Sequence, residues 1–321
     1  MNNFKKIGLT ALAGSLIATS AFAGSMSVGG SAGISYSNQS NSDKGNTFSS
    51  GDSLTFTGSG ELDNGLSVVT YQEIDGGTLD DRYMSMEMDG LGKLTFHAHG
   101  GGTAMSAVDD VVPTAYGEAW DIIGAKTTAV AVGQALKGGA IGGFGTNNSF
   151  FYDAPEMVDG LDVNLSYVPS AGTRSDGSIS IALAYTGVEG LTVGYAQDDN
   201  GMSGTSSLET ETMYAKYAIG SFTIGVQETE QENDGATTSD DEFSAMGITY
   251  QVSDDLTIGY TASEREFGDK TQDEESKSIN VSYTSGGMTI GAAMVSMDNV
   301  GGSTASRDDV DGFAIDIGFA F

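Results

Sequence analysis

The final ten residues of the chain alternate strictly between two kinds of side chain. The odd-numbered positions are large and apolar, and they are Phe313, Ile315, Ile317, Phe319 and Phe321. The even-numbered positions are small or polar, and they are Gly312, Ala314, Asp316, Gly318 and Ala320. A period of two residues is typical of a β-strand whose two faces meet different surroundings. An exposed strand with so apolar a face would aggregate, whereas lipid covers such a face in a closed membrane barrel.

Segments with the same alternation recur along the chain, and we count sixteen of them. Tight turns rich in Gly, Asn and Asp join many of them, and the Asn64-Gly65 pair is a strong hairpin signal. The short connections alternate with longer polar ones such as 231–241 and 267–276. One short rim and one long rim are typical of outer-membrane barrels. The sequence therefore predicts an all-β fold, a 16-stranded antiparallel transmembrane β-barrel.

The second face of these segments is polar and rich in Ser, Thr and Gly. A water-soluble barrel would carry apolar side chains inside, so this pattern favours lipid outside and water inside. Sixteen strands enclose more space than side chains fill, which predicts a water-filled lumen with a polar wall.

The first 23 residues have the pattern of an export signal. Lys5 and Lys6 precede a short apolar run, and Ala21 and Ala23 form a small-residue cleavage site. We expect residues 1–23 to be a signal peptide and residues 24–321 to form the barrel. An N-terminal membrane anchor is the alternative, and the lack of a following stop-transfer pattern counts against it.

The net charge of the chain restricts its partners. There are 44 acidic and 13 basic residues, and loss of Lys5 and Lys6 leaves 44 against 11, a net charge of −33. Binding of nucleic acid needs a basic patch, so the composition excludes that partner and favours cations. The chain has no cysteine, which excludes a catalytic thiol. No Ser–His–Asp or metal-hydrolase spacing occurs, so we expect no enzyme activity and no required cofactor.

Residues 100–148, called the long loop below, interrupt the strand pattern. The long loop contains the only tryptophan, Trp120, and an apolar stretch over 129–136. Its acidic residues are Asp109, Asp110, Glu118 and Asp121. A connection of this length in a compact fold is usually functional. Folding into the barrel is one way for a loop with this much apolar content to leave water.

Short segments resemble the general porins of Gram-negative outer membranes, nearest the alphaproteobacterial type. Residues 91–96 resemble the strand that leads into the third loop of that family. The residues that resemble the stretch after that loop are Asn148, Ser149, Tyr152, Pro155, Gly160 and Tyr167. Those that resemble the family's third strand are Gly65, Leu66 and Glu73. The terminal Phe321 resembles the signal that the barrel-assembly machinery reads.

The resemblance implies a homotrimer of 16-stranded barrels, each narrowed by an inward-folded third loop. It also implies that acids on that loop face bases on the wall across the pore. The loop acids would be Asp109, Asp110, Glu118 and Asp121. The wall residues with lumen parity would be Lys93, His97, His99, Lys216 and Arg265. Arg82 shares the parity of Met84, which places it at the rim or beside a β-bulge.

The chain departs from the family in its bases. Family members often carry an arginine just past the strand that holds His97 and His99, and another shortly before the Asn148-Ser149 pair, and both are missing. With the acidic net charge, this favours cation selectivity. The two histidines form a weak metal motif because the chain has no third histidine. Calcium at the acidic loop residues is an open alternative, since clustered carboxylates suit it and relatives of the family hold calcium near this loop.

These observations favour passive diffusion of ions and small hydrophilic solutes, with cations preferred, through a pore in the outer membrane. One alternative is a channel of the same class tuned to a single nutrient. Others are a non-conducting structural or adhesive barrel and an exported β-solenoid, whose fixed repeat the chain lacks. The expected partners are outer-membrane lipid and lipopolysaccharide, bridged to acidic external loops by divalent ions, further copies of the chain, and small solutes and cations.

Overall fold

The computed structural model describes residues 24–40, 47–108, 110–123, 147–169, 177–201, 207–234, 240–268, 270–302 and 309–321. The predicted signal peptide, Asp109 and residues 124–146 of the long loop lie outside these ranges. The described residues form the strands β1 (Ser25–Gln39), β2 (Thr47–Glu61), β3 (Ser67–Asp75), β4 (Thr78–Met88), β5 (Gly92–His99), β6 (Ser149–Asp153), β7 (Leu161–Val168), β8 (Ser178–Val188), β9 (Leu191–Gly201), β10 (Ser207–Ile219), β11 (Phe222–Asp234), β12 (Asp241–Ser253), β13 (Leu256–Phe267), β14 (Glu274–Ser285), β15 (Met288–Asp298) and β16 (Val310–Ala320). They also form a 3-10 turn (Ser106–Val108) and a short helix α1 (Ala119–Ile123).

The strands close into one antiparallel barrel. Each strand pairs with its neighbours in sequence, and β1 pairs with β16. The closing register runs from Ser31 opposite Ala320 to Gln39 opposite Gly312. The prediction of a 16-stranded antiparallel barrel is confirmed, and each predicted segment falls on a strand.

Among the described residues, no helix combines the length and the apolar character needed to cross a membrane.

One rim of the barrel carries mostly tight turns and the other mostly longer connections, with exceptions at 154–160 between β6 and β7 and at the turn between β3 and β4. On the longer rim these two strands are joined only by Gly76 and Gly77, whose φ angles of 54° and 83° are left-handed. Such angles are adopted readily by glycine, which has no Cβ. Because Asp75 pairs with Ser53, the hairpin ends at that level while β2 continues to Thr47. The wall is therefore lower at β3 and β4.

The outer face is apolar along most of its height. The odd positions of β16 that alternate in the sequence point outward here, and Ile317 and Phe319 are exposed. Nearer the longer rim, the outer face of β10–β13 carries a lateral row of acids, called the glutamate row below. It consists of Glu211, Glu230, Glu242 and Glu266, each directly opposite the next across neighbouring strands. Like charges placed directly opposite repel, so this row requires water or counterions around it.

The inner face is only partly as polar as predicted. Hydroxyl ladders do line it, as where the hydroxyls of Thr212 and Thr229 lie 2.8 Å apart across β10 and β11. On β12, β15 and β16, however, buried apolar side chains face inward, and they are Phe243, Ala245, Ala293, Val295, Met297, Val310 and Ala314. The prediction is wrong there because the long loop, not water, covers this part of the wall.

Candidate functional site: a loop inside the barrel

The first part of the long loop lies against the wall formed by β7–β10. Ala104 donates its backbone N–H to Ser166 Oγ on β7, at 3.0 Å. Ala104, Met105 and Val108 are buried in a cluster with Ala182, Ala196 and Tyr214. Small alanines on β8 and β9 leave room for these side chains, so the loop turns inward directly after β5.

The middle of the long loop rests on glycines of β11 and β12. A Cβ at Gly225 would lie 2.5 Å from Pro113 Cδ, which is closer than carbon atoms approach. A Cβ at Gly247 would overlap the carbonyl oxygen of Pro113. Gly225 and Gly247 are paired directly across the two strands, so together they form a bare patch of sheet on which the proline lies.

The contact continues on β13 and β15. A Cβ at Gly259 would lie 2.9 Å from the backbone nitrogen of Ala115, and a Cβ at Gly291 would overlap the ring of Tyr116. The four glycines are called the glycine track below, and they are Gly225, Gly247, Gly259 and Gly291. Their missing side chains leave room for backbone and side-chain atoms of the loop directly against the backbone of the wall.

Amide and hydroxyl side chains of the wall bind the backbone of the same segment. Gln227 Oε1 on β11 accepts a hydrogen bond from the N–H of Val111 at 3.1 Å. Asn280 Oδ1 on β14 accepts from the N–H groups of Ala115 at 2.9 Å and Tyr116 at 3.3 Å. These loop residues have no strand or helix to satisfy their backbone groups, so the wall supplies the partners.

Helix α1 anchors the far end of the described loop. Trp120 is buried and meets Phe243 of β12 edge to face, with ring centroids 5.5 Å apart. Val112 and Ala119 pack in the same cluster, against the apolar inner face of β15 and β16. Gln39 on β1 donates its side-chain N–H to the carbonyl oxygen of Ile122 at 2.6 Å. The loop thus contacts the barrel from β7 round to β1.

The predicted loop acids differ in how far the structure describes them and in how exposed they are. Asp109 lies outside the described residues, and the side chain of Asp121 in α1 is likewise outside them. Asp110 is partly exposed beside Val111. Glu118 is only 2 % exposed, so it lies within the contact between loop and wall and not at a water-facing edge.

The predicted wall bases are engaged with neighbours. Lys93 Nζ lies 2.7 Å from Asp153 Oδ2 on the adjacent strand. Arg265 is 6 % exposed, and its Nη2 donates to Asp241 Oδ2 at 2.7 Å while its guanidinium covers the Phe267 ring. These pairs cancel much of the field that either base would project into the lumen.

Lys216 on β10 borders the loop directly. Its Nζ lies 5.8 Å from the ring centroid of Tyr214. It pairs with Gly225, beneath Pro113, so its aliphatic stem flanks the glycine track. Of the predicted bases, it is the one that the structure brings to the middle of the loop.

A register shift in β4 and β5 changes the predicted set of lumen residues. Tyr83 pairs with His97, but Arg82 pairs with His99, which leaves Ala98 as an extra residue. Tyr83 and His97 face the lumen, so Arg82 and its partner His99 share the outer face. The pairing with Arg82 argues against the lumen parity predicted for His99, and the shift places Arg82 beside a β-bulge, one of the two positions expected for it. His99 Nδ1 lies 2.6 Å from the carbonyl oxygen of Asp80.

The lumen side of β3–β5, called the facing wall below, carries an aromatic row that the sequence did not single out. Tyr71 stacks on Tyr83 with ring centroids 4.9 Å apart, and Tyr83 meets His97 at 5.5 Å. Glu73 lies beside this row, and it accepts hydrogen bonds from Tyr71 at 2.8 Å and from Ser53 at 2.5 Å. All of these residues share lumen parity, which was the available signal. In the described part of the chain, no group of three or more metal-ligating side chains occurs.

Comparison with known proteins identifies the family of the chain. Residues 8–303 match the family of Gram-negative porins. No curated protein sequence matches the chain.

Three solved structures show the same architecture. The trimer form of in-vitro folded OmpT of Vibrio cholerae is 17% identical, with 93% of this chain and 99% of that chain covered and a TM-score of 0.64. An anion-selective porin from Comamonas acidovorans is 15% identical, with coverage of 93% and 100% and a TM-score of 0.68. Salmonella typhi OmpF in complex with daunomycin is 13% identical, with coverage of 92% and 97% and a TM-score of 0.69. At these identities the likeness establishes the fold alone.

Proposed function

Because the chain belongs to the family of Gram-negative porins, we propose that it is an outer-membrane pore through which ions and small hydrophilic solutes diffuse passively, with cations preferred. The observation that carries this proposal is the long loop lying inside a closed barrel. A loop in this place would narrow a lumen that sixteen strands make wide enough to hold water.

The distribution of charge supports the preference for cations. Described acids with lumen parity on the strands include Glu73, Asp75, Asp81, Asp162, Asp198 and Asp316. The described lumen bases are fewer, and Lys93 and Arg265 are each held by a carboxylate. A lumen wall with an excess of one sign of charge concentrates ions of the opposite sign.

The proposal extends to assembly and surroundings. A homotrimer in the outer membrane is proposed on the basis of family membership and of the trimer form of a structural relative. The outer face of β1–β3 carries small or polar side chains at Ala32, Ser50, Asp52 and Gln72, which another protein surface covers better than lipid. Lipid and lipopolysaccharide would contact the apolar remainder of the outer face.

Planar bilayers test the proposal. Purified protein should insert in steps of three equal conductance units, and a salt gradient should give a reversal potential of the sign expected for cations. Absence of conductance would refute the pore, and a reversal potential for anions would refute the selectivity alone. Heat-modifiable migration on a gel shows independently that the barrel is folded and whether it is trimeric.

A further inference from the structure

We propose that Asn280 is the positioning residue that fixes the width of the pore, an inference that rests on the proposed function of the barrel as a channel. Asn280 lies on β14 with its side chain toward the lumen and is 2 % exposed. Its partners across the sheet are Gly259 on β13 and Ala293 on β15. Small neighbours on both sides leave a slot in the wall, and the Asn280 amide projects from that slot to the loop.

The amide of Asn280 binds three consecutive residues of the loop. Its Oδ1 accepts from the N–H groups of Ala115 and Tyr116, at 2.9 and 3.3 Å. Its Nδ2 lies 3.4 Å from the carbonyl oxygen of Gly117 and also donates to Ser278 Oγ at 3.1 Å. A carboxamide offers two acceptor positions and two N–H donors, so its capacity is used completely here.

Ser278 binds the same carbonyl of Gly117, and the hydrogen bonds of Asn280 and Ser278 to residues 115–117 are called the Asn280 bracket below. Its Oγ donates to the Gly117 carbonyl oxygen at 2.8 Å, while its oxygen accepts from Asn280. Ser278 therefore orients the amide as well as contributing a bond of its own. A buried network with every member satisfied holds one geometry, because any shift leaves a polar group without a partner.

The segment that Asn280 holds lies between two apolar clusters of the described loop, around Met105 and around Trp120. Residues 113–117 contact the wall through the glycine track, through the Tyr116 ring beside the second cluster and through the polar bonds of Asn280 and Ser278. Those bonds are the only contacts of the three that require one fixed position of the backbone. Their loss should therefore loosen the middle of the loop while the two apolar clusters keep its described ends attached.

The bracket recognises backbone atoms, so it specifies where the loop lies and not which side chains the loop carries. Substitution of Asn280 should change the size and the steadiness of the ion current. A residue that served folding alone would change neither once the barrel had formed.

The test compares single-channel records of the wild-type barrel, Asn280→Leu and Asn164→Leu. Leucine approximates the shape of asparagine without its hydrogen bonds. Asn164 provides the matched control, since it has lumen parity on β7 and shows no hydrogen bond to the described part of the loop. We expect Asn280→Leu to show added conductance levels, with the fraction of time outside the main level raised about fivefold, and Asn164→Leu to match the wild type.

A reversible version uses the absence of native cysteine. Asn280→Cys combined with Ala115→Cys should be noisy when reduced and should return to a single quiet level when the disulfide forms. Heat-modifiable migration confirms folding of each variant. If Asn280→Leu does not fold, Ser278→Ala, which removes one donor to Gly117, takes its place and should raise the current noise in the same direction.

The outcomes separate this inference from the proposed function. A conducting wild type with Asn280→Leu records indistinguishable from it would overturn the role of Asn280 and leave the pore intact. Records from the cysteine pair that do not respond to oxidation, with cross-linking confirmed by mass spectrometry, would overturn it as well. A folded wild type without conductance would overturn both.

Discussion

Two parts of the lumen wall lie opposite each other and are built from different residues. The loop-bearing wall, the lumen side of β11–β15, presents the glycine track and neutral amides. The facing wall of β3–β5 presents the rings of Tyr71, Tyr83 and His97 beside Glu73. In the closed order of strands, β4 and β12 are eight strands apart, so the two walls face each other across the lumen.

The difference suggests two separate tasks. The loop-bearing wall carries no side chains along the glycine track, and this leaves the space that the loop occupies. The facing wall meets the described loop only where the loop begins, with Gly101 against His97. The rings of Tyr71 and Tyr83 and the carboxylate of Glu73 are therefore the groups that we expect a solute in the lumen to contact. We therefore expect changes on the loop-bearing wall to alter stability and the steadiness of the current, and changes on the facing wall to alter conductance and selectivity with little effect on stability.

The largest effect on stability is expected for Arg265→Met. Arg265 is buried with Asp241, and breaking a buried ion pair destabilises by about 3–5 kcal/mol because one charge is left without its partner. Lys93→Met on the facing wall is the control, since its pair with Asp153 is exposed and contributes about 0–1 kcal/mol. The free energy of unfolding in urea, measured in detergent micelles, decides between them. Equal losses for the two variants would contradict the contrast between the walls.

A smaller loss is expected for Gly247→Val, which places a side chain where Pro113 lies. Overpacking of this kind costs about 1–3 kcal/mol, and displacement of the loop should also raise the single-channel conductance. Gly51→Val is the matched control, because a Cβ there meets no atom within 4 Å. A Gly247→Val barrel with wild-type stability and conductance would show that the loop does not rest on the glycine track.

On the facing wall, Tyr83→Leu should raise conductance with little cost in stability. The substitution removes a ring stacked between Tyr71 and His97, and such pairs contribute about 0.5–1.5 kcal/mol. Tyr83→Phe keeps the ring and should match the wild type. The current should stay quiet, since the loop remains attached, and noise like that of Asn280→Leu would count against a separate role for this wall.

The smallest effect is expected for Glu73→Gln, which removes one lumen charge and keeps the side-chain shape. We expect the ratio of potassium to chloride permeability to fall about twofold, equivalent to roughly 0.4 kcal/mol. Glu230→Gln in the glutamate row is the control, because that side chain lies on the outer face. Reversal potentials in a salt gradient measure both, and equal shifts would show that position in the lumen is not what matters.

The strands were accessible from sequence because alternation is a local property. Lipid on one side and water on the other impose a period of two, so ten residues are enough to predict that β16 is a strand. The same rule fails at Ala98, where one extra residue in β5 shifts the register so that His99 pairs with Arg82. Nothing in the composition of β5 marks that position.

The path of the long loop was not accessible, because it depends on contacts between distant residues. Asn280 lies 165 residues from Ala115 in the chain, and the alternation of β14 presents it as one more polar lumen residue. The apolar residues on the inner face of β12 break the polar pattern of the lumen wall, and only the contact of Trp120 with Phe243 explains them. The role of the long-loop acids was inferred from a family resemblance, but the burial of Glu118 follows from packing that the sequence does not display.

The glutamate row also has a consequence for the membrane around the barrel. On β10, outward side chains below Glu211 occupy positions 213–219, about 23 Å along the strand and roughly 18 Å in height once a tilt of about 40° is allowed for. The hydrocarbon of a typical bilayer is about 30 Å thick. Since carboxylates are unfavourable in acyl chains, the lipids beside β10–β13 have to be shorter or more disordered than average. We therefore expect membranes with shorter acyl chains to accommodate this side of the barrel most readily.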